Sequence, residues 1–97
     1  MAVENVVVQH IEKTPGVVGG KARIVGTRIT VQNIVIWHER MGMSADEIAA
    51  EFDLSLADVF AALAYYFDNR QAIDETIRSD AEFIEALKQK TPWLLKR

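Results

Sequence analysis

The stretch from Pro15 to Thr30, Pro-Gly-Val-Val-Gly-Gly-Lys-Ala-Arg-Ile-Val-Gly-Thr-Arg-Ile-Thr, restricts the fold more than any other part of the chain. It holds four of the five glycines and three of the eleven basic residues. Glycine reaches backbone dihedrals that other residues resist, and proline fixes its own, so this density marks a shaped loop. Inside it, Arg23-Ile24-Val25 and Arg28-Ile29-Thr30 are β-prone triplets separated by Gly26-Thr27. Two connecting residues with glycine first predict a type II′ hairpin turn. That register sets Ile24 opposite Ile29, and Val25 opposite Arg28. Side chains alternate along a strand, so the two isoleucines share the core face while Arg23, Val25 and Arg28 share the other. Two arginines then stand side by side on a small hairpin. Such a pair is either an anion-binding surface or a solvated basic edge.

The rest of the chain is organised against that loop. With 97 residues there is room for one domain, and a chain this short buries a limited share of its surface. The absence of cysteine excludes disulfides and thiolate metal sites, which fits a reducing compartment. No secretory signal is visible, because the only early apolar run is Val6-Val7-Val8, and nothing approaches the roughly 20 apolar residues of a membrane span. A soluble, cytoplasmic protein with no membrane partner is the expectation.

Net charge is −3, and its distribution is uneven. From Lys13 to His38 the chain has four basic residues (Lys13, Lys21, Arg23, Arg28) and no acid. From Met41 to Asn69 it has six acids (Asp46, Glu47, Glu51, Asp53, Asp58, Asp68) and no Lys or Arg. An anion-binding surface therefore comes from the first part or from the C-terminal end.

Residues 5–11, rich in β-branched side chains, predict a strand, and residues 12–20 a loop. Together with the hairpin they form a front region over 5–30. A tri-helical core comes next, over 31–69. Thr30 is placed to cap the first helix, where Val31, Ile34, Val35 and His38 fall at i, i+3, i+4 and i+7, with Trp37 and Met41 widening the stripe and Gly42 as the stop. Ser44 with Glu47, then Ser55 with Asp58, open two more helices with matched caps. Their inner residues begin with Ala45, Ile48, Ala49 and Phe52. The pair has the outline of a helix-turn-helix. The third helix carries nine consecutive apolar residues, Val59–Phe67, and a helix apolar all round belongs in a core or an interface. A second copy covering that run, or pairing strand to strand, makes a homodimer the expected state. Residues 70–90 predict a fourth helix with Ile73, Ile77, Ile84 and Leu87 along one face and a conceivable break at Ser79. Thr91-Pro92 ends it and leaves a tail over 91–97. The fold class is mainly α with a small N-terminal β region, in one domain spanning residues 1–97.

Several of these strings resemble a known family. Pro15-Gly16, Gly19-Gly20-Lys21, Ile24-Val25-Gly26-Thr27-Arg28-Ile29, Gly42-Met43-Ser44, the Glu47-Ile48 helix and Asp58–Tyr65 are similar to domain-of-unknown-function family 433, over roughly residues 10–75. The resemblance implies a homeodomain-like helical bundle after a small strand region. It also implies the antitoxin of a bacterial toxin–antitoxin pair, whose partner is a PIN-like toxin. Ala22 departs from the family pattern, which usually has proline there.

Three kinds of chemistry compete for these residues. A DNA-binding regulator needs basic groups facing phosphates and a polar recognition helix. The helix in the recognition position instead offers Leu56, Ala57, Asp58, Phe60 and Ala61, which phosphate repels or which lack base-edge donors. DNA contact therefore falls to Lys21, Arg23, Thr27 and Arg28 on the hairpin. A protein-binding antitoxin, or a plain interaction and dimerisation module that binds no DNA, would use the C-terminal end. There Trp93, Leu94 and Leu95 are the candidate partner contacts, with Phe83, Ile84 and Leu87 shared between core and interface. Catalysis finds little support. His10 and His38 stand apart with no carboxylate at ligand spacing, the serines are explained as caps, and the glycine loop lacks the spacing of a phosphate-binding loop. No metal and no cofactor are expected.

Overall fold

A computed structural model describes residues 9–90. Two short strands, β1 (Ile11–Glu12) and β2 (Arg23–Ile24), pair antiparallel with Ile11 opposite Ile24 and Glu12 opposite Arg23. Four helices come after them: α1 (Val31–Val35), α2 (Ala45–Glu51), α3 (Leu56–Asp68) and α4 (Arg70–Lys90). The protein is mainly helical with a small N-terminal sheet. β1 is shorter than the predicted strand: Gln9 and His10 lie outside it, and residues 5–8 fall outside the described residues. Within the chain its partner is β2.

The hairpin register holds, but its turn does not. The Ile24 N–H donates to the Ile29 carbonyl at 2.9 Å, and Arg23 bridges to Thr30. The Thr27 N–H, however, donates to the Ile24 carbonyl at 3.0 Å, which closes a four-residue turn from Ile24 to Thr27. Gly26, with φ 77°, is third in that turn, where type II needs a positive φ; type II′ would put glycine second. The cause lies on the other side of β2. The Val25 N–H is taken by the His10 carbonyl at 2.9 Å and cannot close the hairpin against Arg28.

Capping sets the helix starts. Ser44 accepts from the Glu47 N–H at 3.1 Å and its own N–H donates to the Glu47 carboxylate at 2.8 Å. Ser55 and Asp58 repeat the exchange at 3.0 and 3.3 Å. Thr30 does the same with Asn33, at 3.0 and 3.1 Å. Each such cap stabilises its helix by about 1 kcal/mol, which matters most for α1, only five residues long.

The core lies where these elements meet. Ile24, Val31, Ile34, Val35, Ile48, Val59, Ala62, Leu63, Tyr66 and Ile77 are buried together. The stripe predicted for the first helix is correct through Val35 and then shifts. Residues 36–40 form a π-helical turn, in which the Met41 N–H donates to the Ile36 carbonyl at 2.9 Å. The wider turn rotates the side chains beyond it. Trp37 lies flat against Phe52, ring centroids 3.8 Å apart, while Met41 is exposed instead of joining the stripe. His38 stays half-buried, with Nδ1 2.6 Å from the Glu39 carboxylate.

Two helices differ from expectation in a way that bears on function. α3 is not enclosed: Val59, Ala62, Leu63 and Tyr66 face the core, but Leu56, Phe60 and Phe67 are exposed. α4 runs through Ser79 without a break, and among the described residues its buried and half-buried positions all lie in the first half. Ile73 is half-buried and Ile77 buried, whereas every residue from 81 to 90 is exposed. Those ten residues extend the helix about 15 Å past its last anchoring residue, Asp80. No helix among the described residues is long and apolar enough to cross a membrane.

Candidate functional site

The four hairpin residues have unequal freedom. Arg23, on β2, is 11% exposed at its side chain. Its Nη1 donates to the Thr27 carbonyl at 2.9 Å, its Nη2 donates to Thr14 Oγ1 at 3.1 Å, and the Glu12 carboxylate lies 3.5 Å away. The guanidinium thus ties the loop before β2 to the turn after it. Its Nε is buried with no partner among the described residues. A group held on several sides this way is not presented to phosphate. Thr27 is likewise engaged: its hydroxyl donates to the Ile24 carbonyl at 2.9 Å and accepts from the Ile29 N–H at 3.0 Å.

Lys21 reaches across to α4. Its Nζ lies 2.8 Å from Asp80 Oδ2, and Gln32 Nε2 donates to the same oxygen at 2.9 Å. The hydrogen bonds from Lys21 and Gln32 outweigh partial burial and hold the Asp80 carboxyl below its usual range. This three-way clamp joins the loop, α1 and α4 at Asp80. Arg28 alone is exposed and makes no ion pair among the described residues. The two arginines therefore do not act as a pair: one is a structural staple and the other faces solvent.

The helix in the recognition position is no better suited to DNA. His10 Nδ1 lies 2.8 Å from Asp58 Oδ1, and since an ionised carboxylate can only accept, the ring N–H donates. Burial raises the Asp58 pKa, but the hydrogen bonds from His10 and Ser55 outweigh it and leave the carboxyl below its usual range. Asp58 thus caps α3 and pins the chain entering β1. A lowered folded pKa contributes stability that is present above the unfolded value and lost as pH falls through the folded one. Stability should therefore fall as pH drops below about 4. Asp58→Ala is expected to cost about 1–2 kcal/mol at neutral pH and less at pH 3. Urea titrations of both chains at each pH check this, and an equal deficit at both would contradict it.

The apolar candidates sit elsewhere. On α4, Phe83, Ile84 and Leu87 are 69%, 50% and 42% exposed. Ile73, Ile77, Ile84 and Leu87 fall on one continuous helix face, so the stripe buried at Ile77 continues exposed beyond Asp80. The sequence marks this stripe by its spacing and favours Phe83–Leu87 as completing the core or a dimer; the structure corrects the first, since these side chains are exposed among the described residues. Trp93, Leu94 and Leu95 lie outside the described residues. The apolar run of α3 reads in sequence as surplus for a core or an interface, but being unbroken it does not show which side is wet.

A cavity of about 240 Å³ opens between the loop, α1, α3 and α4, lined in part by Lys13, Lys21, Gln32, Tyr65 and Asn69. No three His, Asp or Glu side chains converge to hold a metal among the described residues.

No curated protein matches the chain. The crystal structure at 2.00 Å resolution of a DUF433 member protein from Anabaena variabilis ATCC 29413 is similar, with 40% sequence identity and a TM-score of 0.66. The match covers 71% of this chain and 68% of that one. The family model for DUF433, a protein family of unknown function, matches residues 11–66, which takes in both strands, the hairpin and nearly all of α1–α3. This chain belongs to the DUF433 family.

Proposed function

We propose that the chain is the antitoxin of a bacterial toxin–antitoxin pair, and that it holds a PIN-like toxin by protein contact through the distal half of α4. The observation that carries the reading is the stripe of α4. One face of a single helix is buried at Ile77 and then runs exposed past Asp80 through Ile84, with Phe83 beside it. An amphipathic helix presenting anchors at such spacing is a common way to fill a partner's groove. The toxin's identity as PIN-like comes from the family resemblance. DNA contact has less behind it: of the hairpin candidates Arg28 is unengaged, Arg23 and Thr27 are bound internally, and Lys21 is paired to Asp80. One exposed arginine on the hairpin of a chain of net charge −3 gives phosphate little to hold there.

Co-purification with the product of the neighbouring gene tests this. Phe83→Asp and Ile84→Asp in the full chain are expected to weaken capture about 30-fold or more each, since truncating an interface anchor commonly removes 2 kcal/mol or more. Both side chains are exposed, so thermal stability should stay unchanged. Capture at wild-type strength by both variants would overturn the proposal.

A further inference from the structure

The structure carries a second exposed apolar surface that the antitoxin reading does not use. Along α3, Leu56, Ala57, Phe60, Ala64, Phe67 and Asp68 are all exposed and occupy one face, opposite the buried Val59, Ala62, Leu63 and Tyr66. The positions on that face are symmetric about residue 62, and the reflection carries each large phenylalanine onto a small alanine. We propose that α3 pairs antiparallel with α3 of a second copy about a two-fold axis at that residue, setting Phe60 against the partner's Ala64 and Phe67 against the partner's Ala57.

A two-fold axis brings the same patch to itself, so a helix seam must be self-complementary in shape and charge. This one is. Each phenylalanine meets an alanine, which lets the two helices approach closely and gives each ring a hollow. Leu56 falls opposite the partner's Asp68, whose carboxylate then lies beside the first turn of the other helix, the positive end of its dipole. Arg70 is the first cation after the basic-free stretch 41–69, and its guanidinium lies 5.9 Å from the Phe67 ring centroid. Pairing in this register carries it to the acidic end of the other copy, near Asp53.

The size of the patch sets the strength of the contact. Two half-exposed phenylalanines offer roughly 200 Å² per copy, taking about 200 Å² for a whole aromatic side chain. A seam of this kind falls in the class of small interfaces, below about 1,200 Å² in total. The dimer is therefore a dissociating one, whose population depends on concentration.

Sedimentation of the full chain across the micromolar range tests the pairing, with size-swapped variants testing its register. A reversible monomer–dimer equilibrium is expected. Phe60→Ala leaves a hole against Ala64, and Ala64→Phe crowds ring against ring, so each alone should weaken association about tenfold or more. The double variant exchanges large for small and should return to within about threefold of wild type. Both positions are exposed in the monomer, so melting of the dilute chain should not change. A monomer at every concentration overturns the proposal, whether residues 1–8 or another partner takes the face. So does a dimer indifferent to both single changes, or losses that add in the double variant.

Discussion

Arg23→Ala is expected to lower the free energy of unfolding by about 2–3 kcal/mol, whereas Arg28→Ala should change it by less than about 0.5 kcal/mol. The two residues look equivalent in sequence, five positions apart on either side of one turn. Their surroundings differ. Arg23 is nearly buried and serves the Thr27 carbonyl, the Thr14 hydroxyl and the Glu12 carboxylate at once. Removing it leaves the part-buried Thr27 carbonyl without this donor and the Glu12 charge without its partner, and such groups are costly when left unpaired. Lysine should recover only part of the loss, because an ammonium cannot span the fork of contacts that a planar guanidinium reaches. Arg28 loses only solvated charge. Urea unfolding of the three variants measures the contrast, and equal costs for Arg23→Ala and Arg28→Ala would contradict it.

The second large effect is expected at the root of α4. Ile77→Ala should destabilise the protein by about 3 kcal/mol, the usual range for cutting a buried isoleucine to alanine. Ile77 is 4% exposed and is the one buried residue of α4 among those described. Its neighbours in anchoring the helix are half-buried Ile73 and the Asp80 clamp to Lys21 and Gln32. Loss of its side chain removes most of the apolar hold of α4 on the body, so the damage should be uneven. Amides of residues 70–80 are expected to exchange faster than those of α1–α3, because weakly held elements open locally before the whole chain unfolds. A cost under about 1 kcal/mol, with α4 amides as protected as before, would contradict this placement of the anchor.

Those two residues also show what the sequence could and could not disclose. Ile77 is legible: it sits at helical spacing with Ile73 and Ile84, and capping pairs at Ser44–Glu47 and Ser55–Asp58 mark the helix starts by composition alone. The facing of Ile24 and Ile29 is legible for the same reason, since alternation leaves one solution. Arg23 is not legible as a staple, because its partners come from Thr14 and Glu12, nine and eleven positions back, brought near only by β1 pairing with β2. The turn type is obscured by the same pairing, which takes the Val25 N–H away from the hairpin. Met41 leaves its stripe through a π-helical turn that no local composition announces. For α3 the difficulty is saturation: nine apolar residues in a row carry no periodicity, so the wet side holding Phe60 and Phe67 has no signal of its own.

The proposed toxin contact rests on the arm of α4 and not on the basic hairpin or the helix-turn-helix outline. Hydrogen exchange of the full chain, alone and in complex with the neighbouring gene product, tests that directly. Protection gained within residues 81–90, with the amides around Arg28 and the first turn of α3 unchanged, is the predicted result. Protection gained at the hairpin or along α3, with 81–90 exchanging as freely as in the unbound chain, would contradict it.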